Sequence, residues 1–172
     1  ALTNNQELYT KLQLLRSHGV TRDTELMVNS QDQDWYYEQL LLGYNYRMND
    51  LQSALGLSQM KRLEKYVKKR NDIAKIYNEN LYNLEIMLPD ICDSVLSSFH
   101  LYIIKLKNNS MKFRNELFKF LKNNSVGVNL HYIPIYNHPF YKKMNYDVSL
   151  FPNAEKYYRN AISIPIHPNL SK

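Results

Sequence analysis

Two short stretches of the chain combine residue types that can hold an anionic ligand. The first is Gly43-Tyr44-Asn45-Tyr46-Arg47-Met48-Asn49-Asp50. Asn45 brings an amide donor, and Arg47 a permanent cation whose planar fork matches phosphate or carboxylate. Both precede a predicted helix N-terminus, where unsatisfied backbone amides favour negative charge. The same residues also fit a capped turn with Arg47 held in an ion pair. The second stretch is Asn129-Leu130-His131-Tyr132-Ile133-Pro134. Alternation places Asn129 and His131 on one face of a strand that Pro134 stops. His131 then either meets a ligand or is a half-buried side chain satisfied within the fold.

Other chemistries lack their signatures. None of His18, His100, His131, His138 and His167 stands at zinc-ligand spacing from Cys92 or another histidine, so no metal site is expected. With only 4 glycines, the common glycine-rich phosphate loops are absent. There is no G-x-S-x-G elbow, and Cys92 has no nucleophile signature around it. No residue of this chain is therefore assigned a catalytic role.

The elements that must position the two stretches can be read from caps and periodicity. Asn4 or Asn5 caps a helix through Ser17, with Leu8, Leu12 and Leu15 at helical spacing and His18-Gly19 as its end. Residues 21–34 are polar and aperiodic, and read as a loop leading into the aromatic cluster Trp35-Tyr36-Tyr37. Asn49 or Asp50 starts the next helix, with Gln52 able to close a capping box. One or two helices follow over about 49–83, bent near Met60, in a region free of proline up to Leu88.

Beyond Pro89 the texture changes. Residues 99–106 read as a strand. Ser110 caps a helix whose Phe113, Leu117, Phe120 and Leu121 share one face. Residues 126–132 alternate as a second strand, 151–159 form a helix with Pro152 in its first turn, and 161–166 form a last strand. This order predicts an α/β fold.

Composition bounds the function. The chain has 172 residues, 22 Lys plus Arg against 16 Asp plus Glu, and a net charge of +6. That suits anionic ligands, including nucleotides, without demanding nucleic acid. The basic run Lys61, Arg62, Lys65, Lys68, Lys69 and Arg70 spreads around a helix and reads as a solvated face, with a polyanion site as the alternative. A hydrophobic content of 44% with 13% aromatics excludes a disordered chain. The single cysteine excludes an internal disulfide and points to a reducing, cytoplasmic setting. No apolar run reaches transmembrane length and no membrane partner is expected. The first residue is Ala1 and not Met, so the chain is expected to be part of something longer.

With these residues in view, the run from Trp35-Tyr36-Tyr37-Glu38 through Gly43-Tyr44-Asn45-Tyr46-Arg47-Met48-Asn49-Asp50 to Leu55-Gly56 resembles the sugar-nucleotide aminotransferases of the DegT/DnrJ/EryC/StrS family. His131-Tyr132-Ile133-Pro134, then Pro139-Phe140-Tyr141, and Ser163-Ile164-Pro165 with Pro168-Asn169-Leu170 are similar to the small domain of that family. Its opening, Leu14-Leu15-Arg16-Ser17-His18-Gly19, is similar to an end of the large domain. The Trp35–Glu38 lead-in is most like the branch that aminates C4 in pseudaminic-acid biosynthesis.

The resemblance implies the C-terminal part of a pyridoxal-phosphate-dependent transferase of the aspartate-aminotransferase-like fold type I. Residues 1–60 would be the end of the large domain, 61–88 a long connecting helix, and 89–172 the small domain. It implies transfer of an amino group from glutamate to the C4 keto carbon of a UDP-linked deoxysugar. The Schiff-base lysine and the aspartate that pairs with the pyridine nitrogen are expected upstream of this chain, since no lysine here lies in the family's Ser-x-x-His-x-x-Lys pattern. In the family the asparagine of this loop reaches the cofactor phosphate of a neighbouring subunit, a role that falls on Asn45; Arg47 is then an anion contact or a loop anchor, and the family's His-Tyr pair near the sugar nucleotide points to His131 and Tyr132. The implied partners are a second copy in a homodimer, or a separate N-terminal chain. Trp35 and its tyrosines are then expected at an interface. A non-catalytic truncated or dimerisation fragment is the alternative.

Overall fold

Asn5 opens the first helix: its side chain accepts a hydrogen bond from the Leu8 amide at 2.9 Å, and α1 runs Gln6–Arg16. The computed structural model describes residues 2–29, 33–108 and 110–170. After α1 the backbone turns through positive φ at His18 (60°) and Gly19 (71°), and the Gly19 amide returns to the Leu14 carbonyl at 2.7 Å. Glycine is required there, because a Cβ on Gly19 would stand 1.8 Å from the Leu41 carbonyl oxygen.

The chain then forms β1, Val20–Thr21, antiparallel to β2, Glu38–Gln39, with Thr21 opposite Glu38. Reading 21–34 as a loop misses the end of this ladder, since a two-residue strand has no alternation to detect; residues 30–32 lie outside the described residues. Helix α2, Asp50–Met60, starts with the expected box: the Asn49 side chain accepts from the Gln52 amide (2.9 Å), and Gln52 accepts from the Asn49 amide (3.1 Å).

The chain divides into two compact units, Ala1–Met60 and Lys61–Lys172. The second begins with the long helix α3, Leu63–Leu81, and holds a three-stranded sheet ordered β3-β4-β5. Its strands are β3, Ile86–Met87, β4, Tyr102–Leu106, and β5, Ala161–Ile164, all antiparallel, with Tyr102 opposite Ile164 and Lys105 opposite Ala161. The sheet thus starts upstream of Pro89 and shares a unit with α3. Helices α4, Met111–Asn123, α5, Pro139–Lys142, and α6, Pro152–Asn160, complete it. Tyr102, Ile104, Val128, Ile162 and Ala74 form the core.

Three details differ from the periodic reading. Strand β4 starts at Tyr102 and not at residue 99, because Phe99 takes a positive φ of 41°. Helix α4 turns Leu117, Phe118 and Leu121 onto the core while Phe113 and Phe120 stay exposed. Residues 126–132 form no ladder; their one bridge is Asn129 with Ser163. The Asn129 side chain accepts the Leu130 amide at 2.8 Å and so replaces a strand partner. Among the described residues no helix is long and apolar enough to cross a membrane.

Candidate functional site

The loop carrying Asn45 is stitched to the end of α1. The amides of His18, Tyr44 and Tyr46 bond to the carbonyls of Tyr44 (2.8 Å), Leu15 (2.7 Å) and Arg16 (3.0 Å). Ser17 and Asn45 face each other in an antiparallel bridge. Gly43 permits this approach: a Cβ there would stand 2.2 Å from the Gly19 nitrogen. Asn45 therefore sits on a backbone held by hydrogen bonds from residue to residue. Tyr44 and Tyr46 stack at 4.8 Å and, with Leu12, Leu15 and Tyr9, line an open hollow of about 660 Å³.

Asn45 and Arg47 are brought together. Arg47 Nε (3.0 Å) and Nη2 (2.7 Å) both donate to Asn45 Oδ1. The expected ion pair of the capped-turn reading is not found: among the described residues Arg47 bonds an amide oxygen and no carboxylate. The consequence is chemical. With Oδ1 taken by two donors, the amide orientation is set, and Asn45 Nδ2 is the end left to donate. The pair presents N–H groups and one positive charge, both exposed, just before the N-terminus of α2. That donor set suits a phosphate and repels a cation.

Glu38, not assigned a role from the sequence, braces the same unit. Its carboxylate accepts the amides of Val28 (2.6 Å) and Asn29 (2.8 Å) and the hydroxyl of Tyr36 (3.0 Å). These donors, the Val28 amide first, hold its carboxyl below the usual glutamate range. Hydrogen bonding to that carboxylate in turn pushes the Tyr36 phenol up. Trp35 and Tyr37 beside it are exposed.

His131 and Tyr132 are brought together in the second unit, ring edge to face at 4.8 Å. His131 Nδ1 lies 2.7 Å from Ser163 Oγ, and the His131 carbonyl accepts the Tyr157 hydroxyl at 2.9 Å. Burial pushes the Tyr157 phenol up, so that it remains a donor. Tyr132 itself is 73% exposed. Ser163 and Tyr157 were not read as site residues from the sequence. The only local signal was the strand alternation of β5, which does not reveal a partner 32 residues away.

The basic run at the start of α3 is partly committed to local partners. Lys68 pairs with Asp72 at 3.1 Å, and Arg62 bonds the Tyr66 hydroxyl and lies over its ring.

The whole chain, residues 1–172, matches the DegT/DnrJ/EryC1/StrS aminotransferase family. The UDP-4-amino-4,6-dideoxy-N-acetyl-beta-L-altrosamine transaminase of Campylobacter jejuni serotype O:23/36 is 36% identical over 99% of this chain and 43% of its own length. Helicobacter pylori PseC, an aminotransferase of pseudoaminic acid biosynthesis, superposes with a TM-score of 0.80 at 30% identity, over 98% of this chain and 43% of that one. The Streptococcus pneumoniae protein Spr1654 in its PLP-form gives a TM-score of 0.83 at 28% identity, over 99% of this chain and 41% of that one. The chain spans less than half the length of the proteins it matches. Its fold is that of the C-terminal portion of fold-type-I pyridoxal-phosphate-dependent transferases. Sequence and fold together place the chain in the DegT/DnrJ/EryC1/StrS aminotransferase family.

Proposed function

We propose that this chain is the C-terminal part of an aminotransferase that moves an amino group from glutamate to the C4 keto carbon of a UDP-linked deoxysugar. The observation that carries the reading is the Asn45–Arg47 pair, a preset donor face at 2.7 and 3.0 Å, inside a chain of this family. The altrosamine transaminase at 36% identity supports the choice of sugar. Residues 1–60 serve as the end of the large domain, and the small domain follows the long helix α3.

In this reading Asn45 Nδ2 donates to the phosphate of pyridoxal phosphate in a homodimer, and Arg47 fixes the amide and supplies a compensating charge. His131 and Tyr132 meet the nucleotide sugar. When bound, the cofactor supplies the electron sink that amino transfer needs. The reactive lysine comes from residues outside this chain.

The test is a comparison within the complete protein. Purified protein is mixed with glutamate and a UDP-linked 4-keto sugar, and the aminated sugar is identified by mass and by the position of its nitrogen. Amination at C4 supports the reading. A protein that retains pyridoxal phosphate but aminates no 4-keto sugar overturns the substrate. A complete protein that retains no cofactor overturns the enzyme reading and leaves an assembly role for the chain.

A further inference from the structure

Neutral imidazole carries one proton, on Nδ1 or on Nε2, and the position decides whether His131 gives or takes a hydrogen bond. Ser163 settles that choice. It lies in β5 and is 5% exposed. Its N–H donates to the Asn129 carbonyl at 2.8 Å and its carbonyl accepts the Asn129 amide at 3.1 Å. This double bridge fixes Ser163 opposite Asn129, two residues before His131, and sets Oγ 2.7 Å from Nδ1. The Tyr157 bond to the His131 carbonyl also holds the main chain.

A hydroxyl has a single proton to donate. Among the described residues the Ser163 hydroxyl has no other hydrogen-bond partner than His131. If Nδ1 carried the ring proton, the ring would donate and the buried hydroxyl would be left with an unmet donor, which is costly. With the proton on Nε2, Ser163 donates to the Nδ1 lone pair and both groups are satisfied. Nε2, which has no bond within the described residues, then carries an N–H that is free to donate.

We infer that Ser163 is a positioning residue that holds neutral His131 in the Nε2–H form, so that the ring offers the nucleotide sugar a hydrogen-bond donor for an acceptor oxygen. The inference rests on the proposed placement of His131 at the sugar nucleotide. It assigns His131 to recognition, because a neutral ring in this form has no free lone pair with which to take a proton from substrate.

The complete protein labelled with 15N-histidine tests this. The ring nitrogen shifts report which nitrogen bears the proton, and loss of a signal in His131→Gln assigns it. The Nε2–H form is expected in the parent protein and in Ser163→Thr, which keeps the hydroxyl. Ser163→Ala is expected to give a mixture of forms. An Nδ1–H form in the parent overturns the inference, as does a ratio that Ser163→Ala leaves unchanged. The parent and Thr spectra decide the matter even if the Ala variant fails to fold. Kinetics separate this from the reading beneath it. Ser163→Ala should raise KM for the nucleotide sugar roughly fivefold, more than it lowers kcat. A changed ring form with unchanged KM supports the Ser163 lock and removes His131 from the sugar site. A raised KM in His131→Gln, with Nδ1–H in the parent, keeps the sugar site and overturns the lock.

Discussion

The two units hold themselves together by different means. Among the described residues, the first unit buries no apolar side chain; its buried side chains are Thr21 and Glu38. Its order comes from the backbone bonds between residues 15–18 and 44–46 and from a carboxylate that gathers three donors. The second unit buries Tyr102, Ile104, Val128 and Ile162 in one apolar core. Directional hydrogen bonds fix the position of a loop but contribute modestly to stability, whereas buried apolar area contributes most of it. The first unit is thus held by directional bonds, and the second by a buried apolar core.

The largest expected effect lies in the second unit. Ile162 is fully buried, so Ile162→Ala should destabilise the protein by about 2–5 kcal/mol, through lost transfer energy and the cavity left behind. Urea unfolding followed by circular dichroism measures it. A loss below about 1 kcal/mol would erase the contrast between the units.

Next comes the loop. Asn45→Ala removes the donor that Arg47 orients, and cofactor retention in the complete protein should weaken about tenfold. Equilibrium dialysis against pyridoxal phosphate reads the change. Unfolding should be almost unaffected, because both groups are exposed. An Asn45 variant with lower stability and normal cofactor affinity would reverse the roles given to the two units.

This difference also explains what could be read in advance. Helix starts were legible because caps are local: Asn5, Ser110 and the Asn49–Gln52 box all act within three residues. The Asn45–Arg47 bond was not: both residues stood out by type, but the spacing pointed to an ion pair or a ligand for Arg47 and not to the Asn45 amide oxygen. What else escaped depends on distant partners. The ladder of β1 with β2 joins Thr21 to Glu38, and His131 meets Ser163 across 32 residues. Helical spacing identified α4 but put Phe120 on its inner face; packing selected Phe118 instead, beside Leu117 and Leu121. Short strands and long-range side-chain pairs leave no period for a sequence to display.

A smaller effect concerns the polar brace. Folding lowers the pKa of the Glu38 carboxyl, chiefly through the Val28 amide. The folded state therefore binds the proton less readily than the unfolded chain. The stabilisation is complete above the ordinary glutamate pKa and is lost as pH falls through the depressed folded value. Relative to their intrinsic exchange rates, the Val28 and Asn29 amides should lose protection in that acidic window, while the amides of β4 stay protected. Glu38→Gln should show the same loss already at neutral pH. Equal loss in β4 would mean that the two units open together.

The smallest expected effect tests what the first unit leaves bare. Helix α2 has no buried residue, and Leu51, Leu55, Leu57 and Met60 are all more than half exposed. Burial is what makes a leucine costly to lose, so Leu55→Ala should change the unfolding free energy of this 172-residue chain by no more than about 0.5 kcal/mol. The slightly better helix propensity of alanine acts in the opposite direction and keeps the net small. The same substitution in the complete protein sharpens the comparison. A row of exposed apolar side chains on one helix is the surface that a further segment or a second copy would cover. A loss of about 2 kcal/mol or more there, or dissociation of an assembly on gel filtration, would show that the first unit acquires its apolar interior from outside these residues. A change still within about 0.5 kcal/mol would show that hydrogen bonds alone hold α2 and its loop in place.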